Sequence, residues 1–355
     1  MKKIATVIAI IAAFIAVGYV CWRYFDNNFK EYSPVAEMEL QGDEELYFFK
    51  DSFATVSQKA IKSYSLDEDG NITEIYSEIC ENPDVVFSSQ NYFVVSDENK
   101  CRVYSAFDGA FALYAGLDGD FISAHQFSDG LYVKVKETTG ASVTVYECAK
   151  EKEPKNISAE KDFVFSDYCR DDSNGNEFFI SYEASGEYIK LVIRIYNNDI
   201  QIKRIELDNV VYNDFDYISG MFVFYTDYSM FFINIDTLVR RTQNCYDIKS
   251  LDKFVYDDKI VYYWKDAFFD GVNNMFTVNK ETGRLTSFAK RENVCAYDGN
   301  LIYTDGKYVK LYDFSGSLID DNMLFSEDGI KKLGVMGELV AAVKDDSIKF
   351  MKKTG

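Results

Sequence analysis

One histidine, three prolines and two tryptophans in 355 residues are the scarcities that narrow this chain most. A nucleophilic triad needs an imidazole as its base, so His125 would have to serve any such chemistry alone. No Gly-x-Ser-x-Gly elbow accompanies it. A lone histidine among aromatics, as in "ISAHQFSDG", reads as a structural residue of an inner strand. With no Cys-x-x-Cys pair either, zinc has no donor set to draw on. No Gly-rich phosphate cradle is present. Three prolines are too few for a linker-rich or disordered chain.

Basic residues are also short, 38 Lys and Arg against 58 Asp and Glu, for a net charge of -20. The first of the acidic residues is Asp26, and the first 25 residues carry only Lys2, Lys3 and Arg23 as charges. The uncharged run from Ile4 to Trp22 has the length of a bilayer-crossing helix. Lys2 and Lys3 predict a cytoplasmic N-terminus by the positive-inside bias. The reading is an uncleaved signal anchor: a cytoplasmic tail at 1–3, a transmembrane segment at 4–22, a spacer at 23–34 and an extracytoplasmic domain at 35–355. A cleaved signal peptide ending near Ala16–Gly18 is the alternative. Cys21 lacks the residues that a lipoprotein signal places before it. The exported part, with 35 basic and 58 acidic residues, carries -23, a surface that repels nucleic acid and anionic lipid. Its six cysteines, Cys80, Cys101, Cys148, Cys169, Cys245 and Cys295, form no disulfide framework by spacing and read as mostly buried thiols.

What the chain has in abundance is 27 tyrosines and 29 phenylalanines, set among branched residues in alternating runs of five to eight. Asp, Gly, Asn and Ser interrupt the runs, the pattern of strands and tight turns. The runs recur in order: strand, turn, strand, loop, strand, turn, strand. The first turn of each unit falls at Ser89, Gly130, Gly175, Gly220, Asp258, Gly299 and Gly337, in steps of 38 to 45 residues. Third strands centre on Tyr64, Tyr104, Tyr146, Tyr196, Ile235, Asn279, Tyr312 and Phe350, eight in all. Four antiparallel strands at this period predict an all-β, eight-bladed β-propeller. The last unit has only "GIKKLGVM", "GELVAAVKD" and "SIKFM", and a spare stretch, Val35–Leu40, precedes the first. That stretch is expected to complete the last blade and latch the ring.

The segment "VNKETGRLTSF" (278–288) resembles the D-x-x-T-G-x-x-x-W repeat of quinoprotein-like propellers. Thr282 and Gly283 are kept, and Phe288 stands near the Trp position. The whole pattern of anchor, spacer and degenerate blades resembles the membrane-anchored propellers of unknown function in that group. With only Trp22 and Trp264 in the chain, a quinone cofactor is not carried over, and no cofactor or metal is expected.

A rigid ring with variable loops and no catalytic constellation, behind an apolar N-terminal segment, leads us to expect an extracytoplasmic, membrane-tethered module that binds or scaffolds an envelope protein or a cell-wall glycan without catalysis. A carbohydrate-active hydrolase or lyase using loop carboxylates near the channel is the alternative. One connection stands out, "KDAFFDGVNN" at Lys265–Asn274, where Phe268 and Phe269 are flanked by Asp266 and Asp270. Exposed aromatics rimmed by polar groups suit a partner-binding surface. The long connection Ile319–Lys332 is expected to emerge on the same face.

Overall fold

The computed structural model describes residues 32–353 apart from 98–99, 128–129, 138–142, 151, 219, 245–250, 257–258, 265–274, 279–284, 289–293, 298–299, 305 and 313–317. No helix among the described residues is long and apolar enough to cross a membrane, and the segment 4–22 lies outside them.

The chain is all-β. It begins with β1 (Tyr32–Glu39) and continues as sequential antiparallel meanders. The first sheet is β2 (Glu45–Phe48), β3 (Phe53–Val56), β4 (Ala60–Leu66) and β5 (Ile72–Ile79). The second is β6 (Asp84–Ser88), β7 (Tyr92–Asp97), β8 (Lys100–Ser105) and β9 (Ala112–Asp118). The third is β10 (Asp120–Phe127), β11 (Gly130–Lys136), β12 (Val143–Ala149) and β13 (Lys155–Asn156). The fourth is β14 (Asp167–Asp171), β15 (Asn176–Ser185), β16 (Tyr188–Asn197) and β17 (Ile200–Asp208). The fifth is β18 (Asp214–Ile218), β19 (Met221–Tyr225), β20 (Ser229–Asn234) and β21 (Arg240–Asn244). The sixth is β22 (Leu251–Tyr256), β23 (Lys259–Trp264), β24 (Met275–Val278) and β25 (Leu285–Phe288). The seventh is β26 (Val294–Tyr297), β27 (Asn300–Thr304), β28 (Tyr308–Tyr312) and β29 (Leu318–Ser326). The eighth is β30 (Lys332–Met336), β31 (Leu339–Val343) and β32 (Ser347–Lys353), with β1 as its outer strand. Every sheet has the strand order of a propeller blade.

Two compact units carry these sheets. Residues 43–67 and 72–290 hold the first six, and residues 32–42, 68–71 and 291–353 hold the last two. In the larger unit the second strands are apolar on both faces. Tyr92 and Val94 of β7 pack with Leu131, Val133 and Val135 of the third sheet. Phe93 and Val95, pointing the other way, pack with Phe49, Ala54 and Val56 of the first. Period-two alternation therefore aims successive residues at two different neighbours, and the strand reads as an unbroken apolar run. Ring pairs reinforce the contacts, with Tyr104 stacked on Phe111 at 5.4 Å and Phe93 edge-on to Phe49 at 5.9 Å. Cys101 and Cys148 are buried thiols whose pKa values burial pushes up to about 11 and about 12. Cys80 and Cys169 are buried as well, and Cys245 lies outside the described residues.

One strand is unusually short, and one local reading of the sequence needs correction. The fourth strand of the third sheet shrinks to Lys155–Asn156, because it follows the charged "KEKEP" run and Pro154 has no N–H to donate. A 3-10 turn, Ser158–Glu160, covers the remaining edge, and Ser158 Oγ accepts the Val145 N–H at 3.0 Å. Ile319–Lys332 is not one long connection: Leu318–Ser326 is strand β29, drawn into the sheet by the burial of Leu324 and Phe325.

In the smaller unit, β1 pairs antiparallel with β32 from Tyr32 opposite Lys353 to Glu39 opposite Ser347. The strand starts three residues earlier than Val35. Its inner face adds Tyr32 to a core with Tyr297, Ile302, Val340 and Met351. Tyr32 donates its hydroxyl to Tyr297 at 3.1 Å. The register slips between Pro34 and Ala36, so Val35 forms a bulge. Gly70, in the turn 68–71 of the same unit, lies against that bulge with φ +85°. A Cβ on Gly70 would sit 2.2 Å from the Val35 carbonyl oxygen. Behind the pair, Glu327 accepts Lys344 Nζ at 2.5 Å and Lys349 Nζ at 3.2 Å. Burial raises the Glu327 carboxyl, but hydrogen bonds and charge from the two lysines outweigh it and hold it below its ordinary 4.5.

Two outcomes follow from the latch. Gly70→Ala, which meets both a positive φ and a backbone oxygen, should cost about 2 kcal/mol or more, read as a lower urea midpoint. Deleting residues 32–39 should lower it further, and an unchanged midpoint in both would refute the latch. Because the native Glu327 value is depressed, its contribution is complete above pH 4.5 and lost as pH falls through that depressed value. Glu327→Gln should therefore remove part of the wild type's loss of stability between pH 7 and about pH 3.

Candidate functional site

The residues singled out by the sequence, Asp266, Phe268, Phe269 and Asp270, lie outside the described residues. They belong to the connection between second and third strands of the sixth sheet, β23 ending at Trp264 and β24 starting at Met275. The same connection in the fourth sheet is a projecting hairpin. β15 and β16 have ten residues each, and β14 pairs with β15 only as far as Asp167 opposite Ile180. Ser166 adds one more bond, its N–H to the Ile180 carbonyl at 2.7 Å. Ser181–Ser185 thus runs past the end of the inner strand while still paired with β16. Elsewhere among the described residues, second strands outrun their inner strands by one residue at most. Gly186, φ +65°, opens the two-residue loop that closes the hairpin.

The hairpin is amphipathic. One face continues the buried stripe of Phe178, Ile180, Leu191, Ile193 and Leu207, which packs on Phe215, Phe222 and Phe224 of the fifth sheet. Beyond that cover the stripe runs into solvent at Tyr182 and Ile189, 38% and 51% exposed. Val211, 58% exposed, sits in the connection from β17 to β18. Tyr228, 75% exposed, lies in the next sheet's turn, which Asn213 ties down by donating to Asp227 at 2.7 Å. Tyr182 stacks on Tyr212 at 5.7 Å and accepts the Tyr212 N–H at 3.0 Å.

The opposite face is a ladder of neutralised charge. Glu183 accepts from Arg194 and, at 2.6 Å, from Arg204. Glu206 accepts from Lys190 at 2.8 Å and from Arg204 Nε at 3.0 Å. Hydrogen bonds from Lys190 and Arg204 hold the Glu206 carboxyl below its ordinary range. The ladder crosses three strands and ties them together, so the projecting tip is held in shape before any contact is made.

At the hairpin's root lies a partly buried polar cluster around the buried Asp167. Lys134 Nζ donates to both Asp167 oxygens at 3.1 Å, and the Tyr212 hydroxyl donates to Asp167 Oδ2. Burial, then the Asp167 charge, pushes the Tyr212 phenol well above its ordinary value and keeps it a neutral donor. His125 is buried on β10, with Nε2 3.4 Å from Asp214 Oδ1 and its ring 4.6 Å from Phe215. The Asp167 carboxylate is committed to its neighbours, which suits anchoring of the 209–213 connection rather than proton transfer to a substrate.

The sequence held a signal for this site. "EFFISYEASGEYIKLVIRIY" keeps its apolar alternation for ten residues on each side of the glycine turn, against four to seven in the other second and third strands. The excess length marked a hairpin longer than its inner strand.

The Asp167 cluster makes a double-mutant test. Asp167→Ala, leaving the part-buried Lys134 ammonium without its partner, should cost about 2 kcal/mol or more. Lys134→Met with Asp167→Leu should cost clearly less than the two single changes added, measured by urea unfolding. Additive costs would show that the pair is not coupled.

No family profile and no curated protein sequence matches the chain. Among solved structures it aligns with Sqt1 of Saccharomyces cerevisiae, at 11% identity over 90% of this chain and 98% of that one, TM-score 0.48. It aligns with BamB of Moraxella catarrhalis at 10% identity over 90% and 99%, TM-score 0.45, and with the Pan2 WD40 domain of Neurospora crassa at 11% over 92% and 96%, TM-score 0.40. Likenesses this distant carry neither partner nor activity to this chain.

Proposed function

We propose that this chain is an extracytoplasmic, membrane-tethered propeller of eight blades that acts without catalysis as a binding or scaffolding module. Its partner is an envelope protein or a cell-wall glycan, engaged through the fourth sheet's hairpin. The carrying observation is the apolar stripe that leaves the core at Tyr182, Ile189 and Val211 on a tip braced by five paired charges. Side chains of this kind are normally covered, and a rigid exposed set of them is the usual make-up of a recognition surface. The apolar segment 4–22, preceded by Lys2 and Lys3, supports the tether and the side of the membrane. Phe268 and Phe269, with Asp266 and Asp270, occupy the same place in the sixth repeat and are proposed as a second part of the contact.

A photo-crosslinking residue placed at Ile189, in the full chain in its native membranes, should capture one discrete species. The same group at Ile79, 89% exposed on the first sheet, should not. Val211→Asp should abolish the Ile189 product. Equal products from both positions, or none from Ile189, would remove the hairpin from the reading.

A further inference from the structure

The overhang of β15 also says what kind of molecule fits it. In an antiparallel strand, alternate residues turn their main-chain groups to opposite sides. The Ile180 carbonyl points toward the inner strand, where it takes the Ser166 N–H, so Tyr182 and Ala184 point the same way past the end of β14. Among the described residues nothing pairs with the main chain of Tyr182 or Ala184 on that side. Proteins usually blunt such an edge with lysine, proline or a bulge. Ser181–Tyr182–Glu183–Ala184–Ser185 has no lysine or proline, and the Glu183 charge is spent on Arg194 and Arg204.

We propose, building on the hairpin as docking surface, that an extended polypeptide segment adds to the Tyr182–Ala184 edge as a further strand. Only a polypeptide supplies donors and acceptors at strand spacing, so the edge selects a protein partner over a glycan. Side chains on one face of the incoming strand lie beside Tyr182 and are apolar. Those between them are basic. Three exposed acids lie on the hairpin and its neighbour, Glu187 in the loop, Asp208 opposite Lys190 and Asp227 in the turn tied to Asn213, while Lys190, Arg194 and Arg204 are already paired. The partner segment is thus an alternating cationic and apolar strand.

The probe is a fluorescein-labelled nonapeptide of alternating lysine and valine, titrated by anisotropy against the full chain in detergent micelles. The proposal expects binding that weakens about tenfold or more when alternate peptide nitrogens are methylated. Ala184→Pro should weaken it equally. The Ala184 N–H faces the open edge, so proline there breaks no bond with β16, and an unchanged unfolding midpoint verifies the fold. Neutralising Glu187, Asp208 and Asp227 together should flatten the salt dependence, and neutralising Glu68, Glu81 and Asp84 should not. Absence of peptide binding, indifference to methylation and to Ala184→Pro, or displacement by an N-acetylglucosamine tetramer would each overturn strand addition. If crosslinking from Ile189 still succeeds in that case, the docking surface stands with another mode of contact. If it fails too, the surface falls as well.

Discussion

A four-stranded sheet whose middle strands are apolar on both faces cannot be stable alone, and everything else in this protein depends on that. Tyr92–Val95, Phe178–Ser181 and Met221–Tyr225 each send alternate side chains to opposite sides. Burial of one face leaves the other wet, so within the larger unit a sheet such as the second needs a neighbour on each side. Large aromatic side chains fill the wedge between sheets because they cover much area with few rotatable bonds. Tryptophan is nearly absent from the chain, and tyrosine and phenylalanine take its place.

Stacked sheets leave a second problem, the strand edges. The protein handles its edges in different ways. β1 covers the edge of β32, and Gly70 lets the 68–71 turn sit directly on the bulge at Val35. The 3-10 turn at Ser158–Glu160 covers what β13 leaves of β12. Among the described residues no strand pairs with the edge of β15 beyond Ile180, on a hairpin whose Glu183, Glu206, Lys190, Arg194 and Arg204 charges are paired with one another. Unlike the outer edges of the sheets, this one continues an apolar core face on a braced hairpin, the combination on which the proposed contact rests.

Much of the fold was legible. The turns at Gly175, Gly220 and Gly337 fall where the repeat placed them, and the third strands run through Tyr64, Tyr104, Tyr146 and Tyr196. Turn chemistry and period-two alternation are local, so each unit announces itself. The site was less legible. Phe268 and Phe269 drew the eye as adjacent aromatics in a loop, whereas Tyr182 and Ile189 looked like ordinary members of two long strands. Their exposure depends on where β14 stops, which their own sequence does not state. The Lys134–Asp167–Tyr212 cluster was equally hidden, since its members come from two sheets and the connection between β17 and β18 and lie 33 and 45 residues apart.

By itself the sequence determined the strand content, the repeat, the acidic surface and an apolar N-terminal run, because each follows from composition and short-range pattern. Only the tertiary structure decided which strand outruns its neighbour, which carboxylates are spent on internal partners and which apolar residues stay in water. Those outcomes depend on the register between segments distant in the chain, and register is a property of the pair rather than of either strand.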